Sequence, residues 1–257
     1  MLSKKLQDFL NNKVSEYNQP SFIHDDPISV PHSFTQQQDI EIAGFFAAIF
    51  AWGNRKMIIN KSKELMQLMD NAPHQFITQH KEDDLKKMLH FKHRTFNTTD
   101  LLYFIHFLKH HYSNSQSLET AFSKWMQPGD ENIENALTGF PHYFFSLPDA
   151  PHRTKKHIAT PEKNSTCKRL CMFLRWMVRK DNCGVDFGIW QNIKPSQLIC
   201  PIDLHVARVA KRFELVKRPS VDWLTALELS SHLKKFDPSD PAKYDFALFG
   251  LGVVEKY

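Results

Sequence analysis

Apolar residues recur along most of this chain at intervals of three or four positions, the spacing of one face of an α-helix. The segment 39–55 (DIEIAGFFAAIFAWGNR) is apolar around nearly its whole circumference, which predicts a buried central helix ending in a left-handed cap at Gly53 and Asn54. The remaining predicted helices are amphipathic. They span 1–17, 55–69, 81–90, 98–112, 115–126, 130–146, 166–180, 203–216, 221–236 and 241–254.

Two segments with several prolines interrupt this helical pattern. Residues 18–34 have little periodicity and are predicted to form an extended connector. Residues 146–164 are also rich in lysine and arginine and are predicted to be a linker, or a loop that a partner orders. We therefore expect one all-α unit covering 1–257. Its two lobes are predicted at roughly 35–150 and at 1–34 plus 151–257, with a cleft where the linker crosses.

The composition agrees with an all-α fold, because only 8 of the 257 residues are glycine and 21 are phenylalanine. No signal peptide is visible at the start of the chain, and no apolar run approaches the ~20 residues that span a bilayer. These features predict a cytoplasmic protein with no membrane partner. In that compartment the four cysteines are expected to be reduced thiols.

Positive charge is concentrated in one part of the chain. Between His152 and Lys180 there are nine lysines and arginines and one acid, Glu162, a local excess of +8 where the whole chain carries +5. Such a patch is typical of a phosphate-binding surface. A solvated loop and helix face explains the same charges without a partner.

The helix predicted at 166–180 has a basic face opposite its apolar face, formed by Lys168, Met172, Arg175 and Arg179. Lys168 lies in the first turn, where the helix dipole disfavours a cation, and the neighbouring arginines add positive charge. Both effects favour the neutral amine that a nucleophile requires. The alternative is an ordinary solvated stripe.

Asp203 precedes the helix predicted at 203–216, where a carboxylate is a favourable N-cap. A capping aspartate can also project into a cleft, so capping and catalysis do not exclude each other. Lys168 and Asp203 are therefore each a candidate functional residue at the start of a helix.

Metal binding is the third kind of chemistry that the residue types allow. Because no ligand set has a characteristic spacing, we predict no metal and no cofactor. Three sets remain open: His24, Asp25, Asp26 and His32, the i, i+4 pair His106 and His110, and Cys167 with Cys171 for zinc. A metal-dependent hydrolase would use His24, Asp26 and His32.

Four motifs resemble an uncharacterised bacterial protein family: AGFFAAIFAWGNRK, KRLCMFLRWMVRKDNCGVDFGIW, CPIDLHVARVA and DPAKYDFALFGLG. KRLCMFLRWM followed by PIDLHVARVAKR also resembles, more distantly, the helix-hairpin-helix DNA glycosylases, and among them the archaeal 8-oxoguanine DNA glycosylase branch. The resemblance implies a two-lobed helical fold of that type. It also implies base excision from double-stranded DNA at an oxidised or otherwise damaged base, with abasic-site lyase activity as an extension.

Residue roles follow from the same resemblance. Lys168 would attack the sugar C1′ and Asp203 would assist. Arg175, Asp245 and Phe249 match positions of the substrate pocket. Trp52 and Asn54 are also predicted to bind the substrate. The expected DNA contacts are Lys155, Lys156, Lys163, Arg169 and Arg179.

This chain departs from the family pattern at two points. The family's hairpin carries Gly-x-Gly before the lysine, whereas this chain has Lys163-Asn164-Ser165-Thr166-Cys167. The glutamine that reads oxidised guanine in the archaeal branch has no clear counterpart near residues 51–54. A non-catalytic helix-hairpin-helix DNA-binding protein is the alternative function.

Overall fold

The computed structural model describes residues 4–257, and this part of the chain is all-helical. Its only β pairing is an isolated antiparallel bridge between His93 and Phe96. The α-helices are α1 Lys4–Tyr17, α2 Gln37–Ile49, α3 Arg55–Leu68, α4 Pro73–Gln79, α5 Glu82–Leu85, α6 Thr98–Tyr112, α7 Glu119–Ser123, α8 Glu134–Phe144, α9 Lys168–Val178, α10 Leu204–Arg212, α11 Trp223–Phe236 and α12 Tyr244–Phe249. The all-α prediction is confirmed. No helix among residues 4–257 is long and apolar enough to cross a membrane.

The prediction of an extended connector at 18–34 is wrong. This segment forms three 3₁₀ turns, Pro20–Asp25, Pro27–Ser29 and Pro31–Ser33. Each turn begins with a proline, whose fixed φ suits the first position of a helical turn and whose missing N–H leaves no donor unsatisfied there.

The segment 146–164 is not an unstructured linker. It contains 3₁₀ turns at His152–His157 and Pro161–Lys163, and the Thr154 side chain is fully buried. The Thr154 hydroxyl donates to Asp100 Oδ1 over 2.8 Å, and the Arg153 guanidinium donates to Asp100 Oδ2 over 2.6 Å. These contacts fix the loop to the start of α6 without any partner.

Several helix boundaries also differ from the predicted ones. The central helix α2 ends at Ile49, and Gly53 (φ 101°) lies in the turn that leads to Asn54, the N-cap of α3. The sequence pattern missed α4. The single helix predicted at 241–254 divides into the 3₁₀ turn Pro241–Lys243, α12 and a π-helical turn at Gly250–Val254.

Helix α2 is buried along almost its whole length, as its pattern predicts, and packs directly against α9. Gly44 permits this approach, because a Cβ there would lie 2.9 Å from Met177 Cε and 3.4 Å from the Phe173 ring. Phe45 meets Phe173 at a ring-centroid distance of 5.5 Å. The buried helix therefore supports the face of α9 opposite Lys168.

Glu41 links α2 to three other parts of the molecule. Its fully buried carboxylate accepts hydrogen bonds from the Tyr112 hydroxyl (2.8 Å), the Leu118 N–H (2.8 Å) and the Trp190 indole N–H (2.7 Å). Such donors offset the cost of burying a charge without a cation.

The two ends of the described chain pack together. Helix α1 lies against α12, and Gly250 gives Tyr17 room, because a Cβ there would lie 2.2 Å from Tyr17 Cδ2. Helix α12 in turn packs against α10. The α1–α12 contact places the N-terminal helix beside the C-terminal part of the chain. The division into two lobes stays a prediction.

Candidate active site

A short turn positions Lys168 at the first residue of α9. The turn contains two residues in the left-handed region, Asn164 (φ 53°) and Cys167 (φ 51°), and the Cys167 N–H donates to Ser165 Oγ over 3.2 Å. Glycine reaches this region at no steric cost, and asparagine more easily than most residues. The turn before the lysine therefore takes glycine-like conformations without glycine.

Asp203 is the N-cap of α10, and its two carboxylate oxygens have different partners. Oδ1 accepts hydrogen bonds from the N–H groups of His205 (2.9 Å) and Val206 (3.0 Å). Oδ2 lies 3.1 Å from Lys168 Nζ, and the two side chains are 24% and 29% exposed. The cap thus fixes the orientation of a carboxylate that remains open to a ligand.

The pKa of Asp203 is lower than that of an ordinary aspartate. Burial by itself would raise this pKa, but the Lys168 ammonium and the hydrogen bond from the Val206 N–H outweigh that effect. A carboxylate of this kind is a weak base and a strong local negative charge. It is better suited to stabilising a neighbouring positive charge than to removing a proton.

Lys168 and Asp203 line one cavity of about 670 Å³, a volume typical of small-molecule sites. A smaller recess of about 30 Å³ continues it inwards and shares Lys168, Asp203 and three further residues with it. Aromatic and aliphatic side chains form much of both walls. Residues lining the cavity or the recess include Phe22, Asp26, Trp52, Arg55, Met172, Arg175, His205, Asp245 and Phe249.

Arg175 does not lie on a solvated face, which corrects the helical-wheel prediction. Its side chain is almost fully buried, with Nε 3.3 Å from Asp186 Oδ1 and Nη1 in direct contact with Asp245 Oδ2. Its guanidinium carbon also lies 4.3 Å from the centroid of the Phe246 ring. Arg175 reaches the inner recess from this position.

The predicted DNA contact of Arg179 is wrong. Arg179 is 2% exposed, and its guanidinium forms ion pairs with Asp181 (2.7 Å), Asp186 (3.0 Å) and Asp240 (2.9 Å). Its Nε and Nη1 contact these carboxylates, and a buried guanidinium neutralised by three carboxylates is poorly placed to bind a phosphate. Asp181 lies just beyond α9, whereas Asp186 and Asp240 lie 7 and 61 positions from Arg179. All three carboxylates lie outside α9, so its helical period could not reveal them.

Asp245 and Phe249 come from α12 and its end, and both line the recess. Burial raises the pKa of Asp245 to about 6, although the nearby Arg175 and Lys168 oppose the rise. Phe249 packs edge-on against Phe22 at a centroid distance of 6.0 Å, and the Arg55 guanidinium lies 5.0 Å from its ring.

Trp52 lines the outer cavity, but Asn54 does not, which corrects its predicted place in the substrate pocket. The Asn54 amide oxygen instead accepts the Met57 N–H over 3.1 Å as the cap of α3. Arg169 lies 5.0 Å from the Trp52 ring and donates to the Ile49 carbonyl over 2.6 Å. Its guanidinium is therefore partly committed within the protein.

The other predicted DNA contacts are accessible. Lys155, Lys156 and Lys163 are all exposed. They lie in the ordered segment that leads to α9, and no ion pair occupies their ammonium groups within residues 4–257.

The alternative metal sites are not assembled. Within the described range 4–257, no three His, Cys, Asp or Glu residues are grouped so that they could hold a metal ion. His24 Nδ1 lies 2.8 Å from Oδ1 of its neighbour Asp25, whereas His32 Nε2 lies 2.8 Å from the Val185 carbonyl oxygen. Cys167 and Cys171 are fully buried, and burial raises the pKa of the Cys167 thiol to about 12, which disfavours the thiolate that zinc requires.

The sequence pattern did not single out several residues of the cavity. Phe22 and Arg55 were not selected, and Asp26 was considered only as a metal ligand. The one available signal was the Asp26-Pro27 pair, because an aspartate before a proline is typical of a capped turn. That signal indicates local structure and says nothing about a cavity formed with α9 and α10.

Comparison with known proteins identifies the family of this chain. The model of a protein family of unknown function, DUF2400, matches residues 26–254. This span includes every residue named above as lining the cavity except Phe22. No curated protein and no solved structure matches the chain. The chain belongs to the DUF2400 family.

Proposed function

We propose that this protein is a DNA glycosylase of the helix-hairpin-helix type, with an accompanying abasic-site lyase activity, that removes an oxidised or otherwise damaged base. One observation carries the proposal: Lys168 Nζ lies 3.1 Å from Asp203 Oδ2 inside a cavity of about 670 Å³. An amine held beside a carboxylate, in a concave site large enough for a flipped nucleotide, is the arrangement such chemistry requires.

The proposed reaction begins with a nucleotide flipped into the cavity. The neutral Lys168 amine attacks C1′, and the bond between C1′ and the base breaks with its electron pair leaving on the base, which takes up a proton. The amine loses its own proton to solvent or to Asp203. The sugar ring opens to a Schiff base, from which β-elimination cleaves the 3′ phosphate bond.

The lowered pKa of Asp203 favours one of its two possible roles. A carboxylate that resists protonation stabilises the positive charge that develops on the sugar as the base departs. The cap bonds to the His205 and Val206 N–H groups hold it in place during this step. Proton acceptance from Lys168 is the secondary role.

The walls of the cavity suit a nucleobase. Phe249 and Trp52 offer aromatic faces for stacking, and Asp245 offers a hydrogen-bonding edge in the recess. The ion pair with Arg175 holds the Asp245 carboxylate in place. In this proposal the residues of the recess select the base. Lys168 and Asp203, which line both the recess and the cavity, act on the bond between the base and the sugar.

Two kinds of exposed residue near the site fit a DNA surface. Lys155, Lys156 and Lys163 supply positive charge for phosphates. Leu204 is 75% exposed although it lies between the cavity residues Asp203 and His205. An apolar side chain at such a position suits insertion into a base stack from which a nucleotide has been removed.

Borohydride trapping tests the enzymatic proposal. The wild-type protein is expected to form a covalent adduct with duplex DNA containing an abasic site or oxidised guanine, and Lys168→Gln is expected to form none. Lys235→Gln is the matched control, because it removes an exposed lysine from α11, outside the cavity and outside the proposed DNA surface. Absence of a wild-type adduct on both DNAs rejects the proposal, as does an adduct that survives Lys168→Gln.

A non-catalytic DNA-binding protein is the second candidate. The observation that favours it is the ion pair itself, because Lys168 Nζ lies 3.1 Å from Asp203 Oδ2 and a nucleophilic amine must leave that pair. This function predicts salt-dependent duplex binding that Lys168→Gln leaves intact, without base release or strand cleavage.

A further inference from the structure

Asp26 is the buried carboxylate of the site that has no cation partner. It is 7% exposed and lines both the cavity and the recess, together with Lys168 and Asp203. Asp203 pairs with Lys168, and Asp245 pairs with Arg175. Within residues 4–257, no lysine, arginine or histidine forms an ion pair with Asp26.

The backbone around Asp26 fixes its side chain. Asp26 caps the 3₁₀ turn Pro27–Ser29, and its Oδ1 accepts the Ile28 N–H over 3.1 Å. Pro27 restricts the residue before it to extended backbone, in agreement with φ −113° and ψ 149° at Asp26. Pro27, Ile28 and Val30 are buried and anchor the turn.

The second oxygen of Asp26 remains available. Oδ2 has no hydrogen-bond partner in the described part of the chain, and it is not sealed from solvent. Burial raises the pKa of Asp26, while the Ile28 N–H and the nearby Arg175, Arg55 and Lys168 oppose this rise. In the ionised form of Asp26, Oδ2 is a hydrogen-bond acceptor without a partner in the described part of the chain.

We propose that Asp26 is the specificity-determining residue of the pocket. Its Oδ2 accepts a hydrogen bond from an exocyclic amino group of the flipped base, so that amino-bearing bases are selected over their carbonyl counterparts. The inference rests on the proposed function and adds a substrate preference to it. A base with a carbonyl group in place of the amino group would leave Asp26 Oδ2 buried without a donor, which disfavours binding of that base.

The substitution Asp26→Asn inverts the hydrogen-bonding character at one atom. The amide oxygen keeps the cap bond to the Ile28 N–H, so the NH₂ group takes the place of Oδ2 and donates where the carboxylate accepted. Asp26→Ser keeps a capping oxygen but removes the ligand-facing atom. Asp222→Asn is the control, because it changes another capping aspartate, whose Oδ1 accepts the Thr225 N–H at the start of α11, away from the cavity.

The test uses duplexes containing damaged bases that differ by an amino or a carbonyl group and by the hydrogen that the carbonyl form carries on the adjacent ring nitrogen: hydroxylated cytosine against hydroxylated uracil, and oxidised adenine against oxidised hypoxanthine. Base release by the wild-type protein is expected to favour the amino member of a pair by about tenfold or more. Asp26→Asn should reverse the preference, Asp26→Ser should abolish it, and Asp222→Asn should leave it unchanged.

Trapping on abasic DNA separates the two possible failures, because that substrate has no base to recognise. If the wild-type protein and Asp26→Asn both trap abasic DNA but no amino preference exists, or Asp26→Asn does not alter it, the inference about Asp26 is overturned and the lysine chemistry stands. If the wild-type protein gives no adduct dependent on Lys168, the proposed function itself fails. Thermal melting of each variant verifies that it is folded.

Discussion

The ammonium of Lys168 lies 3.1 Å from the carboxylate of Asp203, although 35 positions separate the two residues in sequence (203 − 168). Each residue stands at the start of a different helix, α9 or α10. Asp203 performs two tasks at once, because one oxygen caps its helix and the other faces the lysine. This division permits tests that separate stability from activity.

Asp203→Asn is expected to leave stability nearly unchanged while activity falls. The asparagine oxygen can still cap α10, but the negative charge beside C1′ is lost. We expect the rate of base release to fall by about 10²- to 10³-fold. Asp203→Ala should lose the cap as well, at about 1 kcal/mol of unfolding free energy. Single-turnover kinetics and urea unfolding measure the two quantities, and equal activity in wild type and Asp203→Asn would contradict this role.

Arg175→Met is expected to destabilise the fold strongly. The change leaves Asp186 and Asp245 buried without this cation, and removing one partner of a buried ion pair costs about 3–5 kcal/mol. The control is Lys235→Met on the exposed face of α11, where a change of about 0.5 kcal/mol or less is expected. Urea denaturation followed by circular dichroism gives both values. Similar losses in the two variants would show that the Arg175 network is not a stability element.

His157 is expected to make stability depend on pH. Burial lowers the pKa of His157 from 6.5 to about 4 in the folded protein, so the folded state binds fewer protons than the unfolded state between these values. The free energy of unfolding therefore rises with pH across this window, and it falls as the solution is acidified. The contribution of this one group is at most about 3 kcal/mol.

Urea unfolding of the wild-type protein and His157→Gln at several pH values measures this contribution. As the pH falls from 6.5 to 4, the wild-type protein should lose unfolding free energy relative to His157→Gln. His142→Gln is the control, because the His142 side chain is 63% exposed. Parallel curves for wild type and His157→Gln would refute the assignment. Asp237, whose pKa is lowered from 3.8 to about 2, loses its stabilising contribution only in the more acid range between those two values.

The three exposed lysines before α9 are expected to control duplex binding. Replacing Lys155, Lys156 and Lys163 together by glutamine should weaken binding and reduce the slope of log K against log salt by about 0.9 for each phosphate that the protein no longer neutralises. The triple replacement of Lys4, Lys5 and Lys235 removes the same charge from other exposed positions. Fluorescence anisotropy over a range of salt concentrations distinguishes them. An equal effect of the two triple variants would indicate that only net charge matters.

The local pattern of the sequence was sufficient for most helices and for the starts of two important ones. Periodicity and capping residues depend on neighbours within four positions, so the buried character of α2 and the cap at Asp203 could be predicted. Boundaries were less accurate where several prolines occur, because a proline interrupts periodicity whether the chain becomes extended or forms a 3₁₀ turn. The placing of Lys168 and Asp203 as a pair came from the resemblance.

The surroundings of Lys168 and Asp203 depend on contacts between distant segments. The wheel of α9 placed Arg175 and Arg179 on a polar face, but Asp186, Asp240 and Asp245 cover that face and bury both arginines. Asp26 enters the cavity from the N-terminal segment, far from α9 in sequence. The local sequence pattern located most of the helices and the cap at Asp203, because periodicity and capping depend on near neighbours. Which charges are paired and which remain open to a ligand depended on contacts between distant segments.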